Sequence, residues 1–156
     1  MIDFEFYTPT RVFFGKDTHL KVGEIIKNYG FKKVLFHYGG GSIKRTGLYD
    51  QVVKSLSSNG IDFVELGGVQ PNPKLSLVKT GAGLCKRENI DMVLAVGGGS
   101  VIDSAKVIAI SALTDADPWD FVSGKAKPTK ALPVGTILTL AASGSEMSSS
   151  AVITKE

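Results

Sequence analysis

Asp91-Met-Val-Leu-Ala-Val96 running into Gly97-Gly-Gly-Ser100-Val-Ile-Asp103-Ser-Ala-Lys106 is the stretch of this 156-residue chain that decides its fold class. Asp91 to Val96 is a short apolar run bounded by turn residues, the pattern of a strand buried on both faces. Three glycines and a serine end it. Val101, Ala105, Ile108 and Ala112 then recur at spacings of four, three and four, which predicts a helix with one apolar face. Strand, glycine turn and helix make one βα unit.

Working outward, the same order recurs. Lys33 to Tyr38 is a second apolar run, closed by Gly39-Gly40-Gly41-Ser42 and followed by a helix that Thr46 is expected to cap, with Leu48, Val52, Val53 and Leu56 inward and Asn59-Gly60 as its stop. Ile61 to Leu66 predicts a strand, Gly67 to Pro73 a loop stiffened by Pro71 and Pro73, and Leu75, Val78, Ala82 and Cys85 a helix. Thr114 to Lys130, with Trp119, is expected to be a loop. Leu132 to Leu140 predicts a strand, Ala141 to Glu146 another glycine-bearing turn, and Val152 to Thr154 a last strand. Upstream, Leu20, Val22, Ile25 and Ile26 mark a helix ending at Tyr29-Gly30. Phe4, Phe6, Val12, Phe13 and Phe14 on either side of Thr8-Pro9-Thr10 predict a β-hairpin. The fold class is therefore α/β: a Rossmann-like parallel sheet with helices on both faces, preceded by an N-terminal β-hairpin.

Length and composition set the outer bounds. One domain covering residues 1–156 suits this length. The net charge of +3 comes from 18 basic and 15 acidic residues spread along the chain, so neither nucleic acid nor a membrane surface is indicated as a partner. Cys85 is the single cysteine and has no CxxC or histidine neighbour, which reads as a buried structural thiol. Asp3 and Glu5 stand where a signal peptide needs positive charge, and no apolar run reaches membrane length, so the expected location is cytoplasmic.

Parallel α/β sheets bind ligands beyond the carboxyl ends of their strands. Glycines there let a backbone approach a ligand, and the first N–H groups of a helix attract phosphate. Gly97, Gly98, Gly99 and Ser100 are thus candidates for a pyrophosphate cradle, a better account of three consecutive glycines than a bare turn. General motifs do not match. The third glycine of GxGxxG is replaced by Ile102, Lys44 and Lys86 in the three places where it starts to form. No P-loop or GxSxG elbow is present, and His19 and His37 give a hydrolase triad little support.

GGGSVIDSAK resembles the GGGSxxDxxK signature of the iron-containing alcohol dehydrogenases. The resemblance is reinforced by Tyr38 to Ser42, by Gly67 to Pro73, by Asp117-Pro118-Trp119 and by Leu138 to Thr154, and these segments are similar to the butanol dehydrogenase-like, aldehyde-reducing branch. It implies hydride transfer between a nicotinamide dinucleotide and a small alcohol or aldehyde. It also implies that Gly97, Gly98, Gly99 and Ser100 hold the pyrophosphate, that Asp103 lies near the nicotinamide, that Asn72 reaches the adenosine side, and that Thr139, Leu140 and Ser143 line the other wall. The family commonly reads TTxxTGSE in that last segment; here Leu140 and Ser143 replace two threonines, so side-chain contacts at Leu140 are lost. Lys106 is read as a solvated helix residue.

At the end of the Lys33–Tyr38 strand an acidic residue would bind ribose hydroxyls and repel a 2′-phosphate. Instead Gly40, Gly41 and Ser42 stand there, with Lys44 and Arg45 beyond, so the expected preference is NADP(H), with NAD(H) possible. Relatives hold a divalent metal, iron or zinc, in a helical C-terminal domain, and this chain stops before the matching segments. No residue in it is therefore expected to be catalytic or to bind metal, and the chain alone is expected to be inactive. A homodimer is expected through the N-terminal strands or the exposed domain face. The alternatives are a domain like that of dehydroquinate synthase or glycerol dehydrogenase, and a non-catalytic nucleotide-binding module. The GSEMSSSAVIT and DPW segments favour the dehydrogenase.

Overall fold

A computed structural model describes residues 3, 5 and 7–156. Four strands, β1 (Lys33–Gly39), β2 (Asp62–Val69), β3 (Met92–Gly97) and β4 (Val134–Leu138), form one sheet in the order β2-β1-β3-β4. Every pairing is parallel; Phe36 sits opposite both Glu65 and Leu94, and Leu94 opposite Gly135. Helix α1 (Val22–Asn28) precedes β1, α2 (Ser42–Arg45) and α3 (Leu48–Ser58) follow it, α4 (Leu75–Arg87) follows β2, and α5 (Gly99–Ser111) and α6 (Pro118–Val122) follow β3.

Because successive strand residues point to opposite faces, the central strands split the core in two. Val34, Phe36 and Tyr38 with Met92, Leu94 and Val96 pack against Val22, Ile26, Val52 and Leu56 of α1 and α3. Leu35, Val93 and Ala95 face Val78 and Cys85 of α4 and Ile102 and Ile108 of α5. Each such side chain, when fully buried, contributes roughly 1.5–3 kcal/mol of transfer free energy. Cys85 lies inside this second core, and burial pushes its thiol up to about 12, which suits the structural role expected of it.

Helix α5 is buried beyond the single face its spacing predicts. Ile102, Val107 and Ala109 are buried as well as Val101, Ala105, Ile108 and Ala112, because α4, β4, α6 and the segment after β4 surround it. A helix apolar on most of its surface cannot show a clean stripe.

Several expectations are corrected. Thr46 does not cap α3; its hydroxyl donates to the carbonyls of Ser42 and Ile43 in the preceding turn, and Gly47 is the cap position. Gly67 and Gly68 belong to β2 rather than to a loop. The region around Trp119 is not all loop: Asp117 accepts a hydrogen bond from the Trp119 amide at 2.9 Å, and Pro118 opens α6 with its φ already helical. Val152 to Thr154 is not a strand. Only Thr154 pairs, with Lys74, its amide donating to the Pro73 carbonyl and its carbonyl accepting from the Leu75 amide, while the Asp103 carboxylate takes the amide of Val152. The Phe4 and Phe6 half of the predicted hairpin lies outside the described residues. Its other half, Val12 to Phe14, is exposed and, among the described residues, pairs with no strand. Among the described residues no helix is long and apolar enough to cross a membrane.

Candidate functional site: two glycine turns at the switch point

From β1 the chain steps to β2 on one side, and β3 returns on the other side of β1. Connections therefore diverge between the carboxyl ends of β1 and β3, the crevice where open α/β sheets bind ligands. The turns flanking it have the same four letters, Gly39–Ser42 and Gly97–Ser100. Their proximity follows from the strand pairing, and an ideal Cβ on Gly39 would stand 3.9 Å from the Val101 side chain.

Local physics shapes each turn differently. Gly98 is extended, with φ −90° and ψ −170°, and precedes the 13-residue helix α5, whose first N–H groups face the crevice side of the sheet. Gly41 has φ 125°, a conformation that only glycine adopts without strain. Gly40 and Gly98 have nothing within 4 Å of where a Cβ would stand. Ligand atoms can therefore lie against the backbone at both turns, and a dinucleotide pyrophosphate fits this donor set.

The wall after β4 is held to the β3 turn. Thr139 N donates to the Gly97 carbonyl at 3.1 Å, and the Ser143 hydroxyl occupies the space a Gly99 side chain would need. Leu140 is largely exposed and makes no such contact. Asn72 sits in a left-handed conformation, φ 58°, beyond the end of edge strand β2, at the same end of the sheet but on its far side. Ser42 and Gly40 are exposed at the end of β1.

Asp103 and Lys106, three residues apart on α5, tie the wall down. Asp103 accepts from the Ser145 hydroxyl at 2.5 Å and from the Val152 amide at 3.1 Å. Lys106 Nζ donates to Ser145 Oγ at 2.9 Å and to the Ser150 carbonyl at 2.8 Å, and its partial burial holds its pKa below the usual lysine value. Lys106 is thus not the solvated helix residue its position suggested. Its place in the GGGSxxDxxK pattern, on one face with Asp103, was the available signal.

Behind the crevice lies His37, fully buried in β1. Its Nδ1 is 2.8 Å from the Leu66 carbonyl, which can only accept, so Nδ1 carries the proton and Nε2 accepts from the Ser104 hydroxyl at 2.9 Å. Burial lowers its pKa to about 4. His37 bolts β1 to β2 and to α5, and no spacing argument pointed to it. On the other face, Glu65 accepts hydrogen bonds from Tyr49 at 2.6 Å and Tyr38 at 2.7 Å. The Tyr49 bond leads in holding its pKa below the usual carboxylate range.

A groove of about 1030 Å³ lies elsewhere, between α5, the open edge of β4 and residues 9–13, with Phe13, Ile110, Val134 and Thr136 on its walls. It contains neither glycine turn. An extended dinucleotide is recognised along strand ends and backbone amides rather than in an apolar trough, so the turns define the candidate site. Among the described residues no group of three or more His, Cys, Asp or Glu could hold a metal ion, so the residues present do not fit a metal centre.

An open parallel sheet with a glycine cradle at its switch point is a nucleotide-binding architecture. Comparison with known proteins narrows it: the profile described as iron-containing alcohol dehydrogenase matches residues 9–156, and the chain belongs to that family. It is 54% identical over 154 residues to a probable NADH-dependent butanol dehydrogenase 1 of Bacillus subtilis, covering 99% of this chain and 40% of that protein. It is 41% identical over 159 residues to the NADPH-dependent aldehyde reductase YqhD of Escherichia coli, covering 100% of this chain and 40% of that protein. The crystal structure of NADH-dependent butanol dehydrogenase A from Thermotoga maritima superposes with a TM-score of 0.96 at 53% identity, over 98% of this chain and 38% of that one. The chain spans about 40% of the length of the curated relatives it matches.

Proposed function

We propose that residues 1–156 are the dinucleotide-binding domain of an alcohol dehydrogenase or aldehyde reductase that moves hydride between a nicotinamide cofactor and a small alcohol or aldehyde. The observation that carries this reading is the pair of glycine turns flanking the switch point of an all-parallel sheet. Gly97, Gly98, Gly99 and Ser100 hold the pyrophosphate through backbone amides. Thr139, Leu140 and Ser143 form the facing wall. Asp103 stands toward the nicotinamide end and Asn72 toward the adenosine, with Gly40, Gly41 and Ser42 between the adenosine ribose and solvent. When bound, the cofactor supplies or accepts the hydride; this chain orients it.

The reading includes a preference for NADP(H). No carboxylate stands at the end of β1, and each oxygen of Glu65 in β2 already accepts a tyrosine hydroxyl, which ties that carboxylate to Tyr38 and Tyr49. The names of the relatives include both NADH and NADPH. Calorimetric titration of the 156-residue chain with each cofactor is the test: tighter binding of NADPH supports the preference, and tighter binding of NADH overturns it. The reading extends to self-association, since Tyr7, Val12 and Phe14 are exposed. Light scattering on a version lacking residues 1–15 should then report a smaller species than the whole chain does.

A further inference from the structure

Two cations follow the β1 turn, and the structure treats them differently. Lys44 Nζ lies over the ring of Tyr49, 4.6 Å from its centre, and over that of Tyr38 at 5.3 Å. Those two rings meet edge to face at 5.8 Å, and both hydroxyls are fixed on Glu65, whose carboxylate Lys44 helps keep charged. Lys44 therefore already has two π faces and a nearby carboxylate, and its charge is largely answered within the protein. Arg45 is exposed and, among the described residues, enters no ion pair. Its guanidinium turns back over the glycine turn, with Nη1 3.9 Å from where a Cβ on Gly41 would stand. Gly40, the residue before Gly41, has nothing within 4 Å of where its Cβ would stand.

We infer that Arg45, and not Lys44, is the residue that selects a 2′-phosphorylated adenosine ribose. A phosphate in the open space over Gly40 would meet a planar guanidinium able to donate two hydrogen bonds, the geometry that suits phosphate better than a lysine already held by aromatic rings. Lys44 is a structural residue of the Tyr38–Glu65–Tyr49 cluster. Gly67 belongs to the same arrangement: a side chain there would run into the Tyr38 ring. The cluster anchors the side chain of Tyr38, the residue before Gly39, and so steadies the end of β1 from which the turn departs.

This inference rests on the dinucleotide-binding reading and is tested separately from it. The whole chain, Arg45→Ala and Lys44→Met are each titrated with NADPH, NADH, adenosine 2′,5′-bisphosphate and 5′-AMP, with thermal melting alongside. Loss of a charge-assisted phosphate contact weakens NADPH and the bisphosphate by roughly ten- to a hundredfold in Arg45→Ala. NADH and 5′-AMP stay unchanged. Lys44→Met lowers the melting temperature and leaves the NADPH-to-NADH ratio where it was. An Arg45→Ala chain that keeps the wild-type ratio, or a Lys44→Met chain that loses it, overturns the assignment while the binding site itself stands. A wild-type chain that binds none of the four ligands overturns the underlying reading, and the assignment with it.

Discussion

The two GGGS turns are spelled alike and built for different reasons. After β3 the turn enters a 13-residue helix buried on most of its surface, and its outer glycines are set by packing: Gly97 lies under Val101 and Gly99 against Ser143. After β1 the turn enters a four-residue helix at the protein surface, and its glycine at 41 is set by backbone conformation, φ 125°. Gly39 meets only ordinary contacts, whereas Gly98 in one turn and Gly40 in the other answer to neither demand and have open space above them. A glycine that neither packing nor φ requires is the one whose smallness serves a ligand.

The comparison breaks most visibly in stability. Ile102→Ala, beneath the β3 turn in a fully buried site, is expected to cost about 2–5 kcal/mol by denaturant unfolding. Ile43→Ala in the short helix after β1 should fall at the low end of that range, because a rim site collapses more easily around the lost volume. Equal losses at the two positions would remove the distinction between a core turn and a rim turn.

Next in size is a pH effect at His37, which lies in β1 behind the crevice that the two turns flank. Its pKa falls from 6.5 to about 4 on folding, so below pH 6.5 the unfolded chain takes up a proton that the folded chain refuses. Stability is full above pH 6.5 and is lost as pH falls toward 4, by about 3 kcal/mol in all. The difference in unfolding free energy between wild type and His37→Gln, followed across that window, should change by about this amount and in this direction. The exposed carboxylates titrate alike in both proteins and cancel. A constant difference would mean that the imidazole is not desolvated.

The smallest effect sharpens the comparison most. Threonine ranks with glycine at a helix N-cap, so Gly98→Thr should leave unfolding free energy within roughly 0.5 kcal/mol of wild type. Gly41→Thr forces a β-branched residue to a positive φ and should cost about 1–3 kcal/mol.

Sequence pattern reached the sheet because β1 and β3 are buried on both faces, and such strands read as unbroken apolar runs ended by glycine. It reached the site for the same reason: the turns adjoin those runs. What escaped it depends on tertiary partners. Lys106 reads as solvated until Ser145 and Ser150 are folded onto it, and His37 reads as one more residue of a strand until Leu66 and Ser104 meet its two nitrogens. Thr46 reads as a cap by residue type, yet its hydroxyl finds the carbonyls of the turn before it. At Val152 to Thr154 the β-branched run signalled a strand, and the Asp103 carboxylate claimed the Val152 amide, leaving a single bridge at Thr154.

The most direct test of the central claim is dinucleotide titration of wild type and Gly98→Thr by calorimetry, with melting curves for both. The account predicts one NADPH bound per wild-type chain, affinity weakened by roughly tenfold or more in Gly98→Thr, equivalent to about 1.4 kcal/mol or more, and matching melting curves. Unchanged affinity in a folded Gly98→Thr chain would contradict it, because the open space over Gly98 would then not be where the cofactor lies.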